Sequence, residues 1–204
     1  MAEDRAWWIA RFKLVWPSAE PEPQFYLDLM IAHRIIAPAL NAQDLVAWRF
    51  HRRAGRDEAG HQFRFLFYSC RSTAQAIFHM IQTNSLLQEM KEVGLIIDAS
   101  FDDPPQPRFE RAGDETWPPA IQQAWPYYIH GVSRMWLRLI QEIAGEHTHT
   151  SLDETLRWYR NANDQITTLW RERGQHSFLH HLNAIFAYEP INIHVRQDVA
   201  QLSF

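Results

Sequence analysis

Cysteine is almost missing from this chain, since Cys70 is the only one among 204 residues. A single cysteine excludes an internal disulfide and cannot by itself form a thiolate zinc site. No segment approaches the roughly 18 consecutive apolar residues of a membrane-spanning helix, and the start, MAEDRAWW, lacks the apolar segment of a secretory signal. We therefore expect a cytoplasmic protein with no membrane partner.

An excess of positive charge is also missing, because the formal net charge is −4. Without a basic field we predict no nucleic-acid partner, and any anion must bind to a local group of cations. The sequence contains no P-loop, no dinucleotide-binding glycine motif, no serine-hydrolase G-x-S-x-G and no H-E-x-x-H. It therefore predicts no cofactor and no metal.

Aromatic residues and histidines, in contrast, are plentiful, with nine Trp and eleven His. Large aromatic side chains most often fill a core, and the alternative is an aromatic-lined groove for a peptide or a cofactor. The histidines at 147 and 149 are typical of a solvated turn, and the His176/His180 pair has no third ligand at metal-site spacing.

The first half of the chain alternates between segments of period two and segments of period 3.6. Residues 5–101 then have the order β-α-β-β-α-β, which predicts an α+β, ferredoxin-like antiparallel sheet with both helices on one face. The predicted elements are a strand at 6–15, a helix at 23–40, strands at 45–53 and 61–69, a helix at 73–91 and a strand at 95–101.

The second half, residues 116–204, has helical periodicity. Residues 102–115 are polar and proline-rich, so we expect a connecting loop there, with the 1–101 and 116–204 halves packed into one integrated domain. The expected elements are a helix at 120–144 that bends or splits at Pro126, helices at 152–172 and 176–188, and a short helix after Pro190.

One face of the predicted sheet is rich in cations. By alternation, the face opposite Trp48, Phe50, Phe63 and Phe65 is solvated or paired with acids of the helices, or else it binds a carboxylate or phosphate through arginine. That face would contain Arg11, Lys13, Arg49, His51, Gln62, Arg64 and Tyr68.

Four segments together resemble a known family: WWIARF, AWRFHRR, GHQFRFLFY and, much later, SFLHHLNAIF. Their order is similar to that of the C-terminal, glutamate-elimination domain of lantibiotic dehydratases, which also occurs alone in thiopeptide-type bacteriocin biosynthesis. On this resemblance Arg52, His61 and Arg64 match the cations of the central strands, and His180 and Asn183 match the late His and Asn.

The chain departs from the family pattern at several positions. Arg53 stands where a Tyr is usual, Leu66 stands where the second strand arginine is expected, and Ala184 stands where an Arg follows the Asn. The usual Tyr-Gly-Gly segment is absent. These departures support an alternative in which the fold binds a peptide but does not catalyse.

The resemblance implies a lyase reaction in peptide natural-product maturation. A glutamyl ester on Ser or Thr would lose glutamate, with Arg52, Arg64 and His180 as catalytic residues and His61 and Asn183 binding the substrate. The cationic face of the predicted sheet adds Arg11, Arg49 and His51 as candidate substrate-binding residues. One alternative is an inactive module that binds a precursor peptide or partner enzyme, or forms a homodimer through its sheet. Another is an unrelated protein that binds a small anion.

Overall fold

The computed structural model describes residues 4–43, 45–146, 151–187, 191–195 and 198–202, with side chains outside the description at 102–106 and 191–202. The chain forms two compact units, Met1–Ala162 and Asn163–Phe204. The boundary between the units lies within a helix, and the packing of the 1–101 and 116–204 halves into one integrated domain stays a prediction.

The first unit is built on a four-stranded antiparallel sheet of order β2-β3-β1-β4. The α+β class, the antiparallel sheet and the mostly helical second half are confirmed, and the ferredoxin-like name stays a prediction. The strands are β1 (Arg5–Leu14), β2 (Ala47–Ala54), β3 (His61–Cys70) and β4 (Ile96–Gln106).

Helices follow β1 and β3, and most of the described chain after β4 is also helical. The first is α1 (Tyr26–Met30), which continues as a π-helical segment (Ile31–Ile36) and α2 (Ala37–Asn41). The others are α3 (Arg71–Gln82), α4 (Ser85–Glu92), a 3₁₀ helix (Phe109–Ala112), α5 (Pro119–Ala144) and α6 (Leu152–Leu169). Of the described helices, none is long and apolar enough to cross a membrane.

Two details of the first unit differ from the sequence expectation. The helix expected at 73–91 is interrupted at Asn84, whose side chain accepts a hydrogen bond from the Leu87 N–H (3.3 Å) and starts α4. The loop expected at 102–115 contains the end of β4, because Asp102 and Gln106 pair with β1. The prolines at 104 and 105 are tolerated there because β4 is an edge strand.

The second unit contains a π-helical segment (Trp170–Leu179), α7 (His180–Ile185) and a two-stranded antiparallel sheet of β5 (Ile191–Val195) and β6 (Asp198–Leu202). The short helix expected after Pro190 is therefore wrong. The segment Ile-Asn-Ile-His-Val alternates β-branched and polar residues, a pattern that favours a strand.

The strand register gives the sheet two chemically distinct faces. One face carries Phe12, Phe63, Phe65 and Phe67, all fully buried, and we call it the helix face because aromatic side chains of α3 and α5 pack on it. The other is the cationic face, and its residues are Arg11, Lys13, Arg49, His51, Arg53, Gln62 and Arg64. Alternation thus predicted the faces correctly.

Helix α5 also covers part of the edge of β2. The backbone N–H of Phe50 donates to Ser133 Oγ (3.0 Å). His130 Nδ1 lies 3.1 Å from the backbone nitrogen of Trp48 and 2.9 Å from its backbone carbonyl oxygen. Side chains of α5 therefore bind backbone groups of β2 that a peptide strand added at this edge would need. Peptide binding would have to use a surface other than this part of the β2 edge.

Candidate anion-binding site

The cationic face carries like charges on adjacent strands. Arg64 pairs directly with Arg11 on one side and with His51 on the other. Opposed like charges repel, so this row needs anionic or polar partners. Arg64 has one such partner, because its Nε donates to Gln62 Oε1 (3.0 Å).

Arg49 occupies the most unusual position on this face. Its Nε is buried and has no hydrogen-bond partner among the residues that the structure describes. Burial, followed by the charge of Arg64, lowers the pKa of Arg49 from 12.5 to about 10. A guanidinium nitrogen removed from water without an acceptor is costly.

Arg53 lies on the same strand and face but has an acid of its own. Its guanidinium forms an ion pair with Asp57 in the β2–β3 hairpin. That hydrogen bond is the largest cause lowering the pKa of Asp57 to about 2. The charge of Arg53 is therefore already balanced by Asp57. Arg53 can serve as a paired control for Arg49 on the same strand and face.

A hydrophobic wall closes one end of the cationic face. Trp7, Ala47, Leu66 and Ala112 form a buried cluster, against which Phe109 and Trp125 pack. Since Ala112 belongs to the 3₁₀ helix, the segment after β4 covers this end of the sheet. Arg49 pairs with Leu66 across the strands and follows Ala47 by two residues, so it lies at the edge of the wall.

His51 is exposed and lies beside the arginines of this face. Desolvation, followed by the charges of Arg49, Arg64 and Arg53, lowers the pKa of His51 from 6.5. At neutral pH its imidazole is therefore uncharged, and it can serve as a hydrogen-bonding group and not as a cation.

Arg52 lies on the opposite side of the sheet from Arg64. Its strand partner is Phe63, and its Nε donates to Asp28 Oδ2 (2.7 Å), a fully buried carboxylate on α1. The guanidinium also lies 4.7 Å from the Phe25 ring and 5.2 Å from the Trp136 ring. Arg52 opposes Phe63, which is the residue before Arg64 on β3, and successive residues of a strand point to opposite faces of the sheet. The structure therefore does not bring Arg52 and Arg64 into one cleft.

His61 joins Arg52 at the same buried acid. Its Nε2 lies 2.9 Å from Asp28 Oδ1, but the ring N–H is not aligned for a hydrogen bond, and both ring nitrogens are buried without one among the described residues. His61 therefore packs between β3 and α1 on the helix face, opposite the face that carries Arg49 and Arg64. Sequence reasoning missed Asp28, although an acid within the apolar stripe of a helix was the available signal.

A second buried polar group links the π-helical segment to α6. Tyr159 is fully buried, and its hydroxyl lies 2.8 Å from His33 Nδ1. Burial raises the pKa of Tyr159 to about 12. Burial, followed by the charge of Arg34, lowers the pKa of His33 from 6.5. No linear motif marks this pair, since its residues are 126 positions apart.

His180 and Asn183 belong to the second unit. Both lie on α7, where Asn183 is buried and the His180 ring stacks on His176 at 5.1 Å. Across the described residues there is no group of three His, Cys, Asp or Glu arranged to hold a metal ion.

A pocket of about 610 Å³ lies in the first unit beside the start of β2. It is lined by residues of α2, α5 and β2, among them Trp48, His130, Arg134 and Arg138. Arg138 pairs with Glu142 along the helix, and none of the sequence-predicted site residues lines this pocket.

Comparison with known proteins gives one distant structural similarity. No protein-family model matches the chain, and no curated protein matches it. The crystal structure of the tRNA-dependent lantibiotic dehydratase MibB from Microbispora sp. 107891 is 19% identical with a TM-score of 0.46. The match covers 73% of this chain and 13% of that one, so the chain spans a small part of that protein's length. No family is assigned on this basis.

Replacing Arg52 with Leu is expected to destabilise the first unit by about 3 kcal/mol, because it leaves the Asp28 carboxylate buried without its cation. The measurement is the free energy of unfolding in a denaturant titration. Arg53→Leu is the matched control, since Arg53 is next in sequence but pairs with the exposed Asp57. Equal losses in the two variants would contradict a structural role for Arg52.

The lowered pKa of His33 predicts a loss of stability in acid. The unfolded chain binds the proton more readily, so this contribution is present above pH 6.5 and is lost as the pH falls toward the folded-state pKa. His33→Gln should flatten the slope of unfolding free energy between about pH 5 and 7. The exposed His79→Gln should leave the slope unchanged, and an unchanged slope in His33→Gln would refute the assignment.

Proposed function

We propose that this chain is a peptide-binding module of a peptide natural-product maturation system, and that its cationic face binds carboxylates of an acidic peptide. The observation that carries the proposal is Arg49, a largely buried guanidinium whose Nε has no acceptor within the described structure. A bound carboxylate would supply the missing acceptor, and arginine offers two parallel N–H groups to its two oxygens.

Neighbouring residues support a site larger than one arginine. Arg64 and Arg11 follow in the next row of the sheet, beside an imidazole at His51 that is held neutral. Several cations on adjacent strands offer contacts to an extended acidic segment, which can place alternate side chains on one face. The overall charge of −4 makes this patch a local exception.

The class of ligand rests on the sequence resemblance described above. Strand segments AWRFHRR and GHQFRFLFY, which carry the resemblance, are β2 and β3 and provide Arg49, His51 and Arg64. This resemblance supports a precursor peptide, or a partner enzyme with an acidic segment, as the binding partner.

Glutamate elimination is the finer form of this proposal. A base would remove the α-proton of a glutamylated Ser or Thr, the Cα–Cβ double bond would form, and the Cβ–O bond would break to release glutamate as a carboxylate. Arg52 is engaged by Asp28 on the helix face, so the charge stabilisation would fall to Arg64, with His180 as the proton carrier implied by the resemblance.

Anion binding predicts stabilisation by a dicarboxylate. At roughly ten times its Kd, glutarate should stabilise the protein by about 1.4 kcal/mol and raise Tm by about 3 °C. Arg49→Gln should remove the rise without lowering the Tm of the ligand-free protein, because it removes a largely buried charge whose Nε has no acceptor among the described residues. Thermal unfolding followed by circular dichroism measures both values.

The control is Arg53→Gln, which removes an arginine from the same strand and face but one that is already paired. It should keep the full response to glutarate. Inorganic phosphate and sodium chloride at matched ionic strength separate carboxylate binding from general screening. No Tm rise in the unmodified protein, or an equal rise in Arg49→Gln, would refute the site.

Elimination predicts glutamate release from a peptide carrying a glutamyl ester on Ser. Arg64→Gln and His180→Gln should each slow release by about 100-fold or more, the usual range for loss of an acid–base or charge-stabilising group. Arg53→Gln should leave the rate unchanged. No release above the uncatalysed rate by the unmodified protein would refute elimination and leave the binding proposal standing.

A further inference from the structure

Trp125 presents a second buried donor at the edge of the cationic face. Its indole Nε1 is buried and has no hydrogen-bond partner among the described residues. An indole N–H can only donate, and buried Trp normally finds an acceptor for it. An orphaned donor in a folded core therefore requires an explanation.

The two orphaned donors border the same hydrophobic cluster. Trp125 packs against the cluster that contains Ala47 and Leu66, while Arg49 pairs with Leu66 and follows Ala47 by two positions on the same face. Both side chains thus border the hydrophobic wall at the end of the cationic face. Neither carries an acceptor, so they cannot satisfy each other.

The indole of Trp125 is also held in place. Its ring contacts Trp117 at 4.9 Å and Tyr128 at 5.5 Å between centroids. Gly113 fits its backbone against both indoles, because a Cβ there would lie 2.8 Å from Trp117 and 3.0 Å from Trp125. The N–H is therefore fixed by packing and cannot readily turn toward another acceptor.

We infer that Trp125 and Arg49 together form a carboxylate subsite, in which the guanidinium binds one oxygen and the indole N–H donates to the other. Trp125 then becomes a specificity-determining residue, because it favours a planar carboxylate with two oxygens at the wall of the site. This inference rests on the proposed function, since it names the group of the peptide that the cationic face recognises: the side-chain carboxylate of Asp or Glu, or a chain terminus.

Chemistry favours a carboxylate over other acceptors. An uncharged amide oxygen could accept from Trp125 but would leave the Arg49 charge uncompensated. A carboxylate satisfies both donors, and hydrogen bonds to charged groups are shorter and stronger than neutral ones. Acetyl-Glu-amide and acetyl-Gln-amide are therefore the probes, because they differ only in this group.

The test is the substitution Trp125→Phe, which keeps an aromatic ring in the wall and removes the N–H. We expect acetyl-Glu-amide to bind roughly tenfold more weakly by isothermal titration calorimetry, the usual effect of losing one hydrogen bond to a charged group. The ligand-free Tm should not fall through loss of a hydrogen bond, since the N–H has no partner to lose. Weaker binding without such destabilisation is a result that a purely structural role would not give.

Trp117→Phe is the matched control, because Trp117 contacts the Trp125 ring but its indole nitrogen is not among the buried unpartnered atoms. It should bind acetyl-Glu-amide normally. In a double-mutant cycle, Trp125→Phe should have little further effect in an Arg49→Gln background, because the two donors hold one group.

The outcomes separate the two proposals. If Arg49→Gln weakens acetyl-Glu-amide binding and Trp125→Phe does not, the subsite is wrong and the anion-binding function stands. If neither variant changes binding, both are refuted. Binding of acetyl-Gln-amide as tight as that of acetyl-Glu-amide would also overturn the carboxylate subsite.

Discussion

The pairing of β2 with β3 is the constraint on which the rest of this structure depends. Their register opposes Arg52 to Phe63 and Arg49 to Leu66, so two arginines three residues apart face opposite sides of one sheet. Side chains alternate strictly along a strand, and a shift of one residue would exchange every member of both faces. The aromatic residues of the helix face prevent that shift, because it would move Phe63, Phe65 and Phe67 out of the core.

The two faces treat buried charge in different ways. On the helix face, Arg52 brings a cation to the buried Asp28, and Phe25 and Trp136 pack near the guanidinium. Such a pair costs desolvation but is satisfied within the fold. On the cationic face, no acid among the described residues forms such a pair with Arg49, and the charge that acts on Arg49 is another cation. The Arg52–Asp28 pair stabilises the fold from within. The unpartnered Nε of Arg49, in contrast, is the feature expected of a ligand-binding position.

The sequence was enough to predict the sheet and its two faces, but not which arginine forms an ion pair inside the fold. Period-two alternation in β1, β2 and β3 placed the cations opposite the phenylalanines correctly. Motif matching selected Arg52 because of its place in a linear pattern, and only its partner on α1, 24 residues away, shows that it is occupied. The end of β4 and the strands of the second unit escaped prediction because pairing with another strand outweighs local proline and helix signals.

Long-range packing also explains why Trp125 could not be identified from sequence. In a chain with nine Trp, the safe prediction is that each one packs, and Trp125 does pack. Trp125 differs in that its packing leaves the indole Nε1 without an acceptor among the described residues. This packing depends on the approach of α5 to the start of β2 and on Gly113, where a Cβ would collide with Trp117 and Trp125. A donor fixed in this way gains more from a ligand than a flexible one, because little entropy is lost when it binds. The wall that completes the hydrophobic cluster at this end of the sheet is therefore the same element that can give the arginine site its preference for a carboxylate.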